Sequence, residues 1–76
     1  METIHLHIEK KGRGGKIVTV IQGFTRDRLY VEKLTSQIKR SCGTGGTLKD
    51  RLVEIQGDFR TRIREILVKE GFLVKG

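Results

Sequence analysis

Residues 3–22 read TIHLHIEKKGRGGKIVTVIQ, and the way this stretch folds decides the class of the whole chain. Its first seven residues alternate. Ile4, Leu6 and Ile8 fall on one side and Thr3, His5, His7 and Glu9 on the other, which is the two-residue period of a strand with one buried face. Residues 16–22, KIVTVIQ, are rich in β-branched side chains and apolar on both faces, the composition of a strand inside a sheet. The interval KKGRGG between them then becomes the tip of a hairpin.

Working outward, the period changes from two residues to three and four. Between Asp27 and Arg40, Tyr30 or Val31, Leu34 and Ile38 recur with charges between them, so an amphipathic helix is expected. Thr25 is placed to cap its start, Asp27 suits the positive end of the helix dipole, and Lys39 and Arg40 suit the negative end. The glycines of CGTGG at 42–46 stop it. Alternation returns over Leu52 to Gln56 with Val53 and Ile55 on one face, and a short strand through about Thr44 to Leu48 pairs with it across Lys49-Asp50-Arg51. Gly57-Asp58 opens a second helix with Asp58 as N-cap and Phe59, Ile63, Ile66 and Leu67 as its apolar stripe. Gly71 closes that helix, and Phe72 to Lys75 forms a last strand. The order β-β-α-β-β-α-β predicts an α+β open-faced sandwich, with two helices on one side of a mixed four- to five-stranded sheet and the other face uncovered.

Seventy-six residues are expected to make one domain, residues 1–76, without internal repeat or linker. No apolar run approaches the roughly 20 residues that cross a bilayer, and the N-terminal residues do not have the form of a secretory signal. A lone Cys42 cannot form an internal disulfide, which suits a reducing compartment, so a cytoplasmic monomer is expected. Sixteen Lys and Arg against nine acids give a formal net charge of +7, which attracts polyanions. With no Trp, three Phe and one Tyr, the chain is short of the aromatic anchors of a lipid-bound basic helix, and nucleic acid is the favoured partner.

The hairpin tip concentrates that charge. Lys10, Lys11, Arg13 and Lys16 stand there with three glycines and no acid, so backbone can approach closely while Arg13 forks onto a phosphate and the lysines act as point charges. A plainer reading is that a short exposed loop carries Gly and Lys for solubility and to discourage edge pairing. On the second helix Arg60 and Arg64, one turn apart and without an obvious helical partner at that spacing, are secondary RNA-contact candidates, whereas Glu65 and Lys69 are spaced to neutralise each other. CGTGG precedes a strand and is not the phosphate loop GxxxxGK[ST], and GRGG fails as a dinucleotide fingerprint for the same reason. His5 and His7 with Cys42 do not complete a metal-ligand set, and Glu54, Asp50 and Asp58 are explained by alternation and capping. No metal, cofactor or enzymatic activity is therefore expected.

Residues 42–76, CGTGGTLKDRLVEIQGDFRTRIREILVKEGFLVKG, resemble the translation initiation factor 1 family, the SUI-type domain, above all its bacterial YciH-type and archaeal members. The residues that carry the likeness are Cys42, Gly43, Gly45 and Gly46, then Lys49 and Asp50, the signature Ile55-Gln56-Gly57-Asp58, and Gly71, Phe72, Val74 and Lys75 at the end. Upstream, the hairpin with its basic, glycine-containing tip is similar to the family's first hairpin. The resemblance implies a factor that binds the small ribosomal subunit and its rRNA near the decoding centre and the P site, with initiator tRNA and other initiation factors as further partners. It assigns the tip residues Lys10, Lys11, Arg13 and Lys16 to ribosomal RNA, and to the whole a part in discriminating against wrong start codons. Eukaryotic members have a longer loop where this chain has Lys49-Asp50-Arg51, and a tail before the first strand, so functions residing in either are not expected here. The rival reading is a stress-related interaction module that meets a protein partner through the uncovered sheet face.

Overall fold

A computed structural model describes residues 2–12 and 14–76. The chain runs β1 (Thr3–Lys11), β2 (Lys16–Gln22), α1 (Arg28–Cys42), β3 (Gly46–Lys49), β4 (Leu52–Gln56), α2 (Arg60–Lys69) and β5 (Leu73–Lys75). The strands form one mixed sheet in the order β3-β4-β2-β1-β5, antiparallel except where β5 lies parallel to β1. The α+β architecture expected from the sequence is the one observed.

Register sorts the side chains. Leu6 faces Ile21 and Thr19 faces Ile55, while Ile21 also faces Val53 and Ile4 faces Val74, so these residues share one face. Both helices cover it. Val31, Leu34 and Ile38 of α1 and Ile63 and Leu67 of α2 join Ile4, Leu6, Ile21, Val53 and Ile55 in a single buried cluster closed by Phe24 and Phe72. The alternative of Tyr30 or Val31 for the first helical contact resolves to Val31, which is fully buried, with Tyr30 half-buried beside Phe72.

Helix ends account for the corrections to the expected boundaries. The N-cap of α1 is Asp27, whose carboxylate accepts the Tyr30 N–H at 2.9 Å. Thr25 does not cap; its N–H donates to Glu2 instead, at 2.7 Å. Gly43 takes the left-handed conformation, φ 66°, and the N–H groups of Gly43 and Thr44 return to the carbonyls of Arg40 and Lys39, a Schellman ending. Phe72 N–H to Leu67 C=O and Gly71 N–H to Val68 C=O end α2 in the same way. That helix begins at Arg60 rather than at Asp58: Phe59 holds the cap position without a side-chain cap, and the Asp58 carboxylate is engaged by the Arg60 guanidinium. The short third strand begins at Gly46, not Thr44, and reaches β4 through Asp50-Arg51, with Asp50 at φ 57°, a conformation Asp tolerates.

Lys10 and Lys11, expected in the loop, belong to β1, which extends to Lys11. Ile8, expected on the buried face, is 36% exposed, and Ile17 is 39% exposed. The cause is topological. β4 pairs with β2 only as far as Val18–Gln56, and β5 pairs with β1 only as far as His5–Lys75. Beyond these limits β1 and β2 continue as a two-stranded finger, and the molecule is elongated, 37 × 22 × 20 Å.

Candidate nucleic-acid interface

The finger gathers three of the expected cations. Lys11 pairs directly with Lys16 and Lys10 with Ile17, so Lys11 and Lys16 emerge on the open face of the sheet and Lys10 on the helix-covered side. All three are exposed. Arg13, the fourth expected contact, lies outside the described residues. Placing like charges directly opposite one another across a strand pair opposes folding, so the Lys11–Lys16 pair contributes nothing to the hairpin that carries it.

Lys11 is partly compensated. Its Nζ contacts Glu54 Oε2, and the hydrogen bond and opposite charge hold the ammonium pKa above its ordinary value. Glu54 stands on β4 opposite Val20, so this pair reaches across β2 above Val18. The sheet face that the helices leave open is therefore not a bare apolar surface: Val20 sits on it yet is only 2% exposed, between His7 and Glu54 in the register. His7 approaches Glu9 on the same face, Nε2 to Oε1, at 3.6 Å. Among the described residues no group of three or more His, Cys, Asp and Glu is placed to hold a metal ion.

The two expected contacts on α2, Arg60 and Arg64, are both engaged within the chain. Arg60 donates from Nε and Nη2 to the two carboxylate oxygens of Asp58, at 2.9 and 3.0 Å, a fork that lowers the Asp58 pKa and raises that of Arg60. Arg60 has no helical partner one turn along, as its spacing suggested; the carboxylate it binds precedes the helix. Arg64 donates to the carbonyls of Val74 and Gly76. Together Asp58, Phe59, Arg60, Arg64 and Gly76 line an open cleft of about 480 Å³. Glu65 and Lys69 form no ion pair among the described residues.

The signature Ile55-Gln56-Gly57-Asp58 has a structural explanation in the root of the finger. Gly57 N–H donates to Ile17 C=O at 2.7 Å, and Gly57 C=O accepts the Thr19 hydroxyl at 2.7 Å. Thr19, fully buried on the covered face, also accepts the Phe59 N–H at 3.0 Å. Gly57 itself has φ 99°, and a Cβ there would meet the Phe59 ring at 2.7 Å. Sequence reasoning passed over Thr19 and gave Glu54 no role beyond strand alternation. The one legible sign of Thr19 was a hydroxyl in the otherwise apolar run IVTVI at 17–21, on the inward side.

At the opposite pole Glu2 accepts the Thr25 N–H and Arg26 Nε, each at 2.7 Å, and the Arg26 guanidinium lies 4.8 Å from the Tyr30 ring centroid and 5.7 Å from that of Phe72. The Thr25 amide, followed by Arg26, holds the Glu2 carboxyl below its ordinary pKa. Cys42 is half-buried against the core, and desolvation raises its thiol pKa, as befits a packing residue.

The fold and this site define a class: an open-faced α+β domain that projects a cationic hairpin from a two-helix scaffold. The family model for the translation initiation factor SUI1 matches residues 1–73, and the chain belongs to that family. It is 41% identical over 69 residues to a protein translation factor SUI1 homolog of Sulfolobus acidocaldarius, covering 91% of this chain and 69% of that one. A SUI1 homolog of Methanocaldococcus jannaschii is 39% identical over 71 residues, 93% of this chain and 68% of that protein. An uncharacterized protein of Synechocystis sp. is 39% identical over 74 residues, 97% and 67% of the two chains. Membership places the chain in translation initiation, in a family of translation factors rather than enzymes. No helix among the described residues is long and apolar enough to cross a membrane.

Proposed function

We propose that this chain acts as a single domain that binds the small ribosomal subunit near the P site, and that it contributes there to start-codon or initiator-tRNA selection. The observation that carries the reading is the finger: Lys10, Lys11 and Lys16 project beyond the part of the sheet that β4 and β5 flank, two of them directly opposed in a pairing that folding does not favour. Such charge is explained by a polyanionic ligand. Arg13, adjacent in sequence, adds a guanidinium able to fork onto a phosphate. Docking is electrostatic, with rRNA phosphates displacing counterions and the folded body occupying space that a mismatched initiation complex requires. Fidelity then follows from differential occupancy, the factor leaving more readily once the correct codon–anticodon pairing has formed.

Arg60 and Arg64 belong to this reading as secondary contacts. Both already have partners within the chain, so they contribute less than the finger. The rival, a protein-docking module on the open sheet face, is not favoured, because long polar side chains cover the apolar centre of that face.

Equilibrium binding to purified small subunits, with large subunits as the control, tests the proposal. Four phosphate contacts on single-stranded RNA predict a log–log salt slope on the order of 3, at about 0.7 per contact. Replacing Lys10, Lys11, Arg13 and Lys16 together with Ala is expected to abolish most of that slope and to weaken binding without unfolding the domain. Equal affinity for both subunits, or undiminished affinity of the variant, refutes the assignment.

A further inference from the structure

The finger reaches the rest of the molecule through a narrow root. β4 leaves β2 at Val18, and β5 leaves β1 at His5, so the distal part of the hairpin has no sheet neighbour on either side. Apart from the exposed Lys11–Glu54 ion pair, three hydrogen bonds among the described residues join that root to the turn before α2. Gly57 N–H reaches Ile17 C=O; the Thr19 hydroxyl donates to Gly57 C=O; and Phe59 N–H donates to the same hydroxyl. Two of the three pass through one oxygen atom, on a fully buried side chain. A buried hydroxyl that uses both its donor and an acceptor position has a single orientation available, so it fixes the relative placement of the groups it joins.

We propose that Thr19 is a positioning residue for RNA docking: its hydroxyl latches the hairpin root to the Gly57–Phe59 turn and sets the angle at which Lys10, Lys11 and Lys16 are presented. The proposal rests on the docking function given above. Its logic is that of preorganisation. Several phosphate contacts formed by one rigid finger require its direction to be settled before binding, and a finger free to swing has to be ordered at the moment of binding, which lowers affinity without removing any contacting group. Valine in place of Thr19 keeps the shape and removes both hydrogen bonds; serine keeps both.

The test uses Thr19→Val, Thr19→Ser and the wild-type chain, all at a temperature where circular dichroism shows each to be folded. Residual dipolar couplings of the Lys10, Lys11, Lys16 and Ile17 amides, measured against those of α1 and α2, report the finger's direction independently of any ligand. In Thr19→Val these couplings are expected to shrink relative to the helices, and affinity for small subunits to fall by about fivefold or more through the lost preorganisation, with the salt slope unchanged because every cation remains. Thr19→Ser restores both readouts. Thr19→Cys, a weaker donor of similar size, replaces the valine variant if the latter does not fold. Finger couplings that stay in proportion to those of the helices in the variant lacking the hydroxyl overturn the proposal, as does an affinity loss that serine does not restore. Should the wild-type chain show no preference for small subunits, the docking function fails while the couplings still decide whether Thr19 sets the finger's direction.

Discussion

Gly57 concentrates two demands in one residue. Its backbone, at φ 99°, lies where side chains are strained, and the space a Cβ would fill is taken by the Phe59 ring 2.7 Å away. Gly43 meets only the first demand: φ is 66°, and a Cβ added there would meet nothing within 4 Å. Gly43→Ala is therefore expected to cost about 1 kcal/mol, the ordinary left-handed penalty, and Gly57→Ala about 2–3 kcal/mol, because steric conflict is added to strain. Urea unfolding of the two variants measures the difference, and equal losses would show that Phe59 gives way freely. The same residue marks a limit of sequence reading. Gly57-Asp58 reads as the opening of a helix, and the Asp58 side chain does accept the Arg60 N–H, at 3.4 Å, yet the helix starts later because the Arg60 guanidinium takes up that carboxylate. Capping rules describe competition for backbone donors; they do not foresee a side-chain competitor two residues away.

At the scale of elements, α1 was legible because it repeats a single period over its length and β2 because it is β-branched and apolar on both faces, and both the stop at Gly43 and the stop at Gly71 follow from glycine's access to left-handed backbone. The finger was less so. Alternation ceases to signal a strand where neither face is buried, and so Lys10 and Lys11, which pair with Ile17 and Lys16, read as loop. The charges of the candidate site were visible in the sequence, but their compensation was not: Glu54 is far from Lys11 in the chain and meets it only across β2. That cross-strand pair is solvent-exposed, so Glu54→Gln is expected to leave the melting temperature nearly unchanged. It removes a carboxylate that competes with RNA phosphate for Lys11, so affinity for small subunits is expected to rise while the salt slope stays on the order of 3, the four contacts being unchanged in number. A lower affinity in that variant would mean that Glu54 supports the site rather than competing with it.

For the molecule as a whole, the sequence carried the element order but not the strand order. Three residues of β5 hold too little pattern to say which edge they join; the partner is chosen by Phe72 packing on Phe24 and by the Leu73 N–H donating to the Glu2 carbonyl. Acid sensitivity follows from charges placed at both poles. Glu2, 16% exposed and bonded to Thr25 and Arg26, and Asp58, forked by Arg60, both have folded-state pKa values below their ordinary ones. Carboxyls depressed on folding stabilise fully above the unfolded values near about pH 4, and that contribution is lost as pH falls through the lower, folded values. The melting temperature is thus expected to hold from neutrality to about pH 5 and to decline below about pH 4, with Glu2→Gln starting lower and declining less steeply. A wild-type acid limb reproduced unchanged in Glu2→Gln would assign the loss to other groups.

The parallel contact between β1 and β5 joins an early-made strand to a late-made one. Until Phe72 to Lys75 has been synthesised, β1 lacks its outer neighbour and the core lacks the ring that packs against Phe24 and Tyr30. Closing the sheet at β1 is therefore expected to wait until Phe72 to Lys75 has emerged from the ribosomal tunnel, which makes the β1–β5 contact a late, long-range step of folding in a member of a family that itself starts translation.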